Sequence, residues 1–542
     1  MKMSVFTTPK KRVAAALVLL ALTGTLLTAC ESRPPEDASL EGKMVGAMED
    51  FGVGDTFTAT EALEFTTTFS DQPAYPYDKE WALFQKMTDT TNVSLDATVI
   101  PSSDYLQKRS LLVSSGSAPL IMPKTYPGEE SPFVSSGAIL PVSDYVEYMP
   151  NYEDKVEKWG LEDEIDTLKQ EDGKYYVLPG LHEELWPDYT IAIRTDIYEA
   201  NNIPIPETWD EFAESLRKLK EIYPEQTPFS DRFKGNSILN IAAASFGTSA
   251  GWGYADGLAY DEGADEFSYT AASDEYREMV GYFQGLVADG LMDPESFTQD
   301  DDTAIQKFVT GESFAISTNS QTLVSDRATM NELLGESTFS IAKIRVPSGP
   351  AGDVIAGSRL ENGIMLSAGA AKSENFVALL QFVDWLFYSN EGEEFAKWGV
   401  EGETFTKDVD GTRTLTPEFN YNGLNPSGTK DLRIAAGYSG GNFAYGGTTE
   451  LLQSMMLPEE IEWQLEMESK EQESVAPPIL FSEIEREQVT LLTTPLKDYV
   501  DQMTLKFIVG QRDLSEYDTF ITELEDKGLT KYVDLANKTY KK

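Results

Sequence analysis

The sequence predicts an α/β protein in which mostly parallel sheets are flanked by helices. Between residues 57 and 122 the pattern runs strand, helix, strand, helix, strand, an order that a parallel sheet with right-handed crossovers accommodates. Between residues 171 and 224 a turn, a β-rich run, a loop, a strand and a capped helix follow one another. The length of 542 residues leaves room for more than one domain and an ample core.

Residues 1–29 have the form of a targeting segment. Lys2, Lys10, Lys11 and Arg12 precede the apolar run 13–27, which is too short and wrongly flanked for an ordinary spanning helix. The run ends in Leu27-Thr28-Ala29-Cys30, which resembles the bacterial lipobox. Cys30 is the only cysteine, so no disulfide forms within the chain. Read as a lipobox, Cys30 is the lipidation site, and two acyl chains there make a stable anchor; its plainer reading is a buried small apolar residue. Residues 30–54 are acidic, carry Pro34-Pro35 and lack periodicity, and they read as a flexible tether with a reach of roughly 25–30 Å.

Residues 57–69 are rich in Thr and Phe and form the first expected strand. Trp81, Phe84 and Met87 mark a helix, 93–100 alternates as a strand, 103–115 is a helix stopped by Gly116, and 120–122 is a third strand. Ligands of such sheets meet the loops beyond the carboxyl ends of the strands. Asp172-Gly173 is a turn before the β-rich run 175–178, and 189–194 is the next strand. Pro204 and Pro206 exclude regular structure. Thr208 then caps a helix, with Glu211 completing a capping box and Phe212, Leu216 and Leu219 on one face. Ser273 caps a helix that buries Tyr276, Met279, Val280, Phe283, Leu286 and Val287 and ends at Gly290. Strands are expected at 339–346 and 363–367, and a long helix capped by Ser373 carries Phe376, Leu379, Leu380, Val383 and Leu386 on one face.

Several stretches resemble one family. YYVLPG followed by YTIAIRTDIYEANNIPIPETWDEF, then LLVSSGSAPLIM, GAILPVSDYVEYMPNY, GLVADGLMDPESF and FVTGESFAIST are similar to motifs of the extracellular solute-binding proteins of ABC importers, in their larger lipoprotein branch. VDWLFYSNEGEEFAKWGVEGETF is the most specific of these matches, and the closing helices from Met503 to Tyr540 follow the family pattern as well. Ser117 and Leu120 replace the family's usual acidic residues, so contacts made through those carboxylates do not carry over.

The resemblance implies a two-lobed periplasmic-binding-protein-like fold of type II, with the ligand cleft between lobes. It places residues 55–190 plus 314–367 in an N-terminal lobe and 191–313 plus 368–542 in a C-terminal lobe. The strand at 189–194 is the implied first crossover, and the chain returns near 308–318. The implied role is capture of an oligosaccharide or other small solute for a membrane ABC permease, by a monomer lipid-anchored on the outer face of the cytoplasmic membrane.

The formal net charge of −48 argues against a nucleic-acid partner and against docking on anionic lipid. The charge reads as a solvated surface or as attraction for cations. The chain has no G-x-S-x-G, Walker loop or H-E-x-x-H motif, and one Cys with one His exclude a His/Cys zinc cluster. His182 reads as a loop residue. Asp408-Val409-Asp410-Gly411 reads as a hairpin turn, because no Glu stands at the twelfth position of a calcium loop. Asp300-Asp301-Asp302 reads as a solvated helix start, with weak calcium binding as the alternative. No catalytic residue, metal or cofactor is expected.

Sugars suit a closing cleft, since their C–H faces stack on rings and their hydroxyls meet directional polar groups. Candidate platforms are Tyr126, Trp186, Trp252, Tyr254, Tyr438, Phe443 and Tyr445, which sit in loops punctuated by glycine or proline; each also reads as core. Polar candidates are Asp71, Gln72, Asn319 and Arg433, although Asp71 reads first as a loop-capping carboxylate. Trp81, Trp209, Trp385 and Trp398 lie on helices and are assigned to packing. The competing functions are a surface glycosidase or lyase and a ligand-presenting co-receptor for a membrane sensor. A peptide or cation could replace the sugar.

Overall fold

The structure is a computed structural model that describes Leu40, residues 42–336 and residues 338–542. The expected targeting segment, the lipobox and Cys30 lie outside the described residues.

Two separate sheets anchor two lobes. The strands of these two sheets, together with the short strand β8 that pairs outside them, are in chain order β1 (Leu63–Asp71), β2 (Val93–Pro101), β3 (Ile121–Thr125), β4 (Leu178–Leu181), β5 (Thr190–Ile193), β6 (Ala315–Thr318), β7 (Ala342–Lys343), β8 (Val354–Ile355) and β9 (Leu360–Leu366). The first sheet has the order β2-β1-β3-β9-β4 and the second β6-β5-β7. The predicted strand–helix alternation appears as the parallel trio β2-β1-β3. Beyond it the sheets are less parallel than expected. β9 runs antiparallel to β3 and β4, and β6 and β7 run antiparallel to β5.

The chain path supplies the reason. It leaves the first sheet through residues 182–189, returns through 356–359 and leaves again through 455–457. A strand that re-enters from the cleft must run opposite to one heading toward it, so β9 opposes β3 and β4.

This path redraws the expected partition. Residues 314–355, placed in the first lobe from sequence, contribute β6 and β7 to the second sheet, while Ile344, Val346 and Ile355 enter the second lobe's core. Of the expected segment 314–367, only β9 joins the first sheet. The segment from 376 to 454, expected in the second lobe, packs on the first. Phe382 of helix Phe376–Tyr388 meets Phe57 and Phe65 at 6.3 and 5.8 Å, and the Trp398 indole donates to Ser454 Oγ at 3.0 Å. The tether also ends sooner than expected. Val45 N donates to Glu374 O at 2.9 Å, Met48 N to Gln381 Oε1 at 2.9 Å and Gly54 N to Asn151 Oδ1 at 2.9 Å, so residues 45–54 are docked on the first lobe.

Local rules explain many of the elements. Glu211 N donates to Thr208 Oγ1, and Thr208 N to Glu211 Oε2, each at 3.2 Å, closing the capping box of helix Trp209–Ile222. Ser273 caps helix Asp274–Ala288. Ser373 does not cap its helix. It bonds Asn375, and the helix begins at Phe376 without a side-chain cap. That helix is buried on every side rather than on one face, as a helix apolar all round must be. In β5, Ile191 and Ile193 face one cluster with Trp209, Phe212 and Leu216, whereas Ala192 faces another with Phe308, Ile316 and Leu323. Helices therefore cover both faces of the second sheet.

Candidate functional site

The three crossings gather around one cavity of about 420 Å³, within the range of small-molecule sites. His182, Trp186 and Asp188 come from the first crossing, Ser358 from the second, and Met455, Met456 and Leu457 from the third. Ser320 and Gln321 reach it from the end of β6 in the second lobe, and Glu361 and Lys397 from the first. The cavity therefore lies at the hinge end of the cleft between lobes.

Its first-lobe wall is a row of ionisable groups. His182 Nε2 lies 3.0 Å from Glu361 Oε2, which also accepts from Gly446 N at 2.9 Å. Burial raises the proton affinity of Glu361, but the hydrogen bond and charge of His182 outweigh it and hold the carboxyl below its ordinary value. Lys397 Nζ donates to Tyr445 O at 3.0 Å, and burial pushes this ammonium below its usual range, against the pull of Glu393 and Glu361. Behind it the Lys155–Glu393 pair, 2.6 Å apart, is almost fully buried. Positive and negative groups thus alternate from the lobe interior to the cavity.

Outside the residues that line this cavity, the second lobe carries an aromatic cluster facing the cleft. The Trp252 ring lies 5.1 Å from both Tyr189 and Phe233, and Tyr189 lies 6.1 Å from Phe233. Phe233 and Lys234 both adopt positive φ, 61° and 53°, and Ala255 follows the Trp252 loop at 46°. Such backbone costs on the order of 1–3 kcal/mol per residue and persists only where surroundings enforce it. Phe233 N donates to Asp301 Oδ1 at 2.8 Å, and next to it Asp231 accepts from Ser317 N at 2.7 Å and Ser317 Oγ at 2.9 Å. Burial raises Asp231 to about 6, against those hydrogen bonds. Arg232, paired with buried Asp326, lies 5.8 Å over the Phe233 ring. From the first lobe Tyr126, 52% exposed at the end of β3, comes near enough to Tyr189 for the two hydroxyls to interact electrostatically.

The residues expected from sequence separate sharply. Trp186 lines the cavity, edge-on to His182 with ring centroids 6.2 Å apart. Trp252, 48% exposed, and Tyr126 display their rings. Asn319 sits beside the cavity as a cap, with Oδ1 accepting from Thr322 N at 2.8 Å. Asp71 Oδ1 accepts from Tyr77 N at 2.7 Å and closes its own loop, and Gln72 bridges to Tyr75 in that loop. Arg433 is held by both oxygens of Asp431 and lies 5.2 Å from each of the Tyr75 and Tyr421 rings.

Four aromatic platforms are corrected to core. Tyr254 packs against Tyr269 and Tyr276, Tyr438 against Phe395, Phe443 against Phe69, Phe84 and Phe387, and Tyr445 is stacked on Phe387 at 5.6 Å. All four are 4% exposed or less. Their glycine-rich loops fold inward, because a ring gains more from burial than from display.

Sequence reasoning missed Tyr189 and Phe233 as platforms, and Lys124, Asp188, Glu361 and Lys397 as polar groups. Tyr189 was placed in a strand, and nothing local marks the others. Asp408 Oδ1 accepts from Asp410 N and Thr412 N, making the expected hairpin turn.

Comparison with known proteins follows this geometry. Residues 70–393 match the family described as bacterial extracellular solute-binding protein. The fructooligosaccharide ABC transporter substrate-binding protein FusA of Streptococcus pneumoniae is 24% identical over 100% of this chain and 98% of its own length. Its structure in complex with kestose covers 88% of this chain and 99% of that one, with a TM-score of 0.62 at 20% identity. Alginate-binding protein AlgQ2 covers 90% and 99% with a TM-score of 0.67 at 16% identity. An HMO-binding solute-binding protein of Bifidobacterium longum infantis covers 89% and 99% with a TM-score of 0.67 at 17% identity. These structures share the fold.

Proposed function

Because the chain belongs to the bacterial extracellular solute-binding protein family, we propose that it captures an oligosaccharide between its lobes and delivers it to an ABC permease. One observation carries this reading above the others: the Tyr189–Phe233–Trp252 cluster stands across the cleft from Tyr126 and the polar wall around Glu361. Rings on one side and directional polar groups on the other suit a ligand with apolar C–H faces and many hydroxyls. The fructooligosaccharide protein and the HMO-binding protein named above support the same ligand class.

In this reading the crossings at 182–189, 356–359 and 455–457 act as the hinge, and contacts to both lobes favour the closed form. The chain binds and releases its ligand unaltered and acts as a monomer. Acylation at Cys30 holds it on the outer face of the membrane. Among the described residues no helix is long and apolar enough to cross a membrane.

A thermal-shift screen of the mature protein against oligosaccharides tests the proposal. A ligand at 100 times its dissociation constant adds about 2.7 kcal/mol of stability. Absence of any shift across neutral and charged oligosaccharides overturns the reading, and release of shortened products favours a glycosidase instead.

A further inference from the structure

Lys124 has three properties that ordinary structure does not account for. It stands at the cleft end of β3 with φ of 55°, a conformation that side chains other than glycine's rarely adopt. Its ammonium is desolvated: burial lowers its proton affinity, and the nearby charge of Glu361 offsets this only in part. Among the described residues no group accepts a hydrogen bond from this ammonium, although the sequence has 91 acidic residues to draw on.

The strained backbone is held from both sides. Lys124 N donates to Tyr445 Oη at 2.8 Å, and Lys124 O accepts from Arg109 Nη1 at 2.6 Å. Arg109 is 2% exposed and also binds Glu129 Oε2 at 2.6 Å, and that oxygen accepts from Tyr126 N at 3.1 Å. One buried guanidinium thus fixes both Lys124 and the exposed ring of Tyr126. The lysine side chain lies over Gly441, where an added Cβ would come within 2.7 Å of Nζ. The surrounding residues therefore hold an unfavourable backbone in place and leave its ammonium without a protein partner.

The charges nearby define what that ammonium meets. Glu459 is neutralised by both guanidinium nitrogens of Arg327, at 2.5 and 2.8 Å, and Glu460 by Lys343 at 2.6 Å. Glu361, held by His182, Gly446 and Asn362, faces the cavity together with Lys397 and Asp188; Asp188 has only long contacts to Ser320, at 3.3 and 3.4 Å. An ammonium beside a carboxylate makes a seat for hydroxyl groups, each of which accepts through its oxygen and donates its proton.

We infer that Lys124 and Glu361 form a donor–acceptor pair that reads neighbouring hydroxyls of an uncharged saccharide. The inference rests on the saccharide reading of the cleft and narrows its ligand class. Lys124 donates to one hydroxyl oxygen of the ligand, and Glu361 accepts the proton of the next.

Calorimetric titration of wild type, Lys124→Met and Lys124→Gly tests it, with kestose and a panel of neutral di- to pentasaccharides alongside alginate oligomers of matched length. The wild type is expected to bind a neutral member at least tenfold more tightly than any alginate oligomer. Lys124→Met loses at least tenfold in affinity for that sugar with an unchanged melting temperature. Lys124→Gly loses as much while melting at the same or a higher temperature, because glycine suits the positive φ. That split between binding and stability is what a packing role for Lys124 would not produce. A neutral sugar bound by Lys124→Met within twofold of wild type overturns the inference and leaves the saccharide reading standing. Tighter binding of alginate oligomers overturns the assigned ligand class. Binding of no saccharide removes the underlying reading and the inference with it.

Discussion

The two walls of the cleft are made differently. The second-lobe wall is a group of rings, Tyr189, Phe233 and Trp252, which lean on one another and are partly open to solvent. The first-lobe wall is a short series of charges whose supports run deep, from Glu361 and Lys397 back to Glu393 and Lys155. A stacking surface needs area and tolerates small errors of position. A hydrogen-bonding surface needs fixed angles, so its groups are held by other buried groups. The buried supports of the first wall should therefore couple binding to lobe stability, whereas the rings of the second wall should separate them.

The largest expected effect tests that coupling. Lys155→Ala leaves Glu393, 1% exposed, without its partner, and should cost about 3–5 kcal/mol in chemical denaturation. A loss under about 1 kcal/mol would mean that the charge series does not support the first lobe.

Next comes pH. Burial lifts Asp384 from 3.8 to about 7, against the hydrogen bonds donated by Asn151 N, Asn151 Nδ2 and Tyr152 N. Above about pH 4 the unfolded chain has released this proton while the folded protein still holds it. The contribution of Asp384 to stability therefore falls as pH rises from about 4 to about 7, with a single-proton limit of about 1.4 kcal/mol per pH unit. Asp384→Asn removes the titration, so the stability of wild type relative to this variant should decline between pH 5 and pH 7. A difference independent of pH would place the titration elsewhere.

On the aromatic wall, Trp252→Ala should weaken saccharide binding by about tenfold, near 1.4 kcal/mol, with little change in melting temperature. Loss of stability with affinity intact would make Trp252 a packing residue and erase the contrast between the walls. The smallest effect lies far from both. Thr208→Ala removes the cap of helix Trp209–Ile222 and should cost about 1 kcal/mol in denaturation without altering affinity.

How much of this was legible in the sequence depends on the range of the interaction. The capping box of Thr208 and Glu211, the cap at Ser273, the turn at Asp408 and the strand–helix order of the first sheet involve neighbours in the chain, and all are present. The lobe boundaries were misplaced because no local signal tells a strand which sheet to join. β6 was assigned to the first lobe, yet it pairs with β5. Loop aromatics were ambiguous for a similar reason. Trp252 and Tyr254 stand two positions apart in one glycine-rich loop, yet one ring is 48% exposed and the other 2%.

The sequence by itself determined the α/β class, the family and most of the regular elements, because periodicity, caps and turn residues act within a few positions along the chain. Tertiary structure alone decided which rings meet the cleft and which charges remain unpaired there. Lys124 shows why. Its strained backbone is fixed by Arg109 and Tyr445, its side chain rests on Gly441, and its nearest charge is Glu361. Three of these four partners lie hundreds of positions away, and their convergence is a property of the packed lobe.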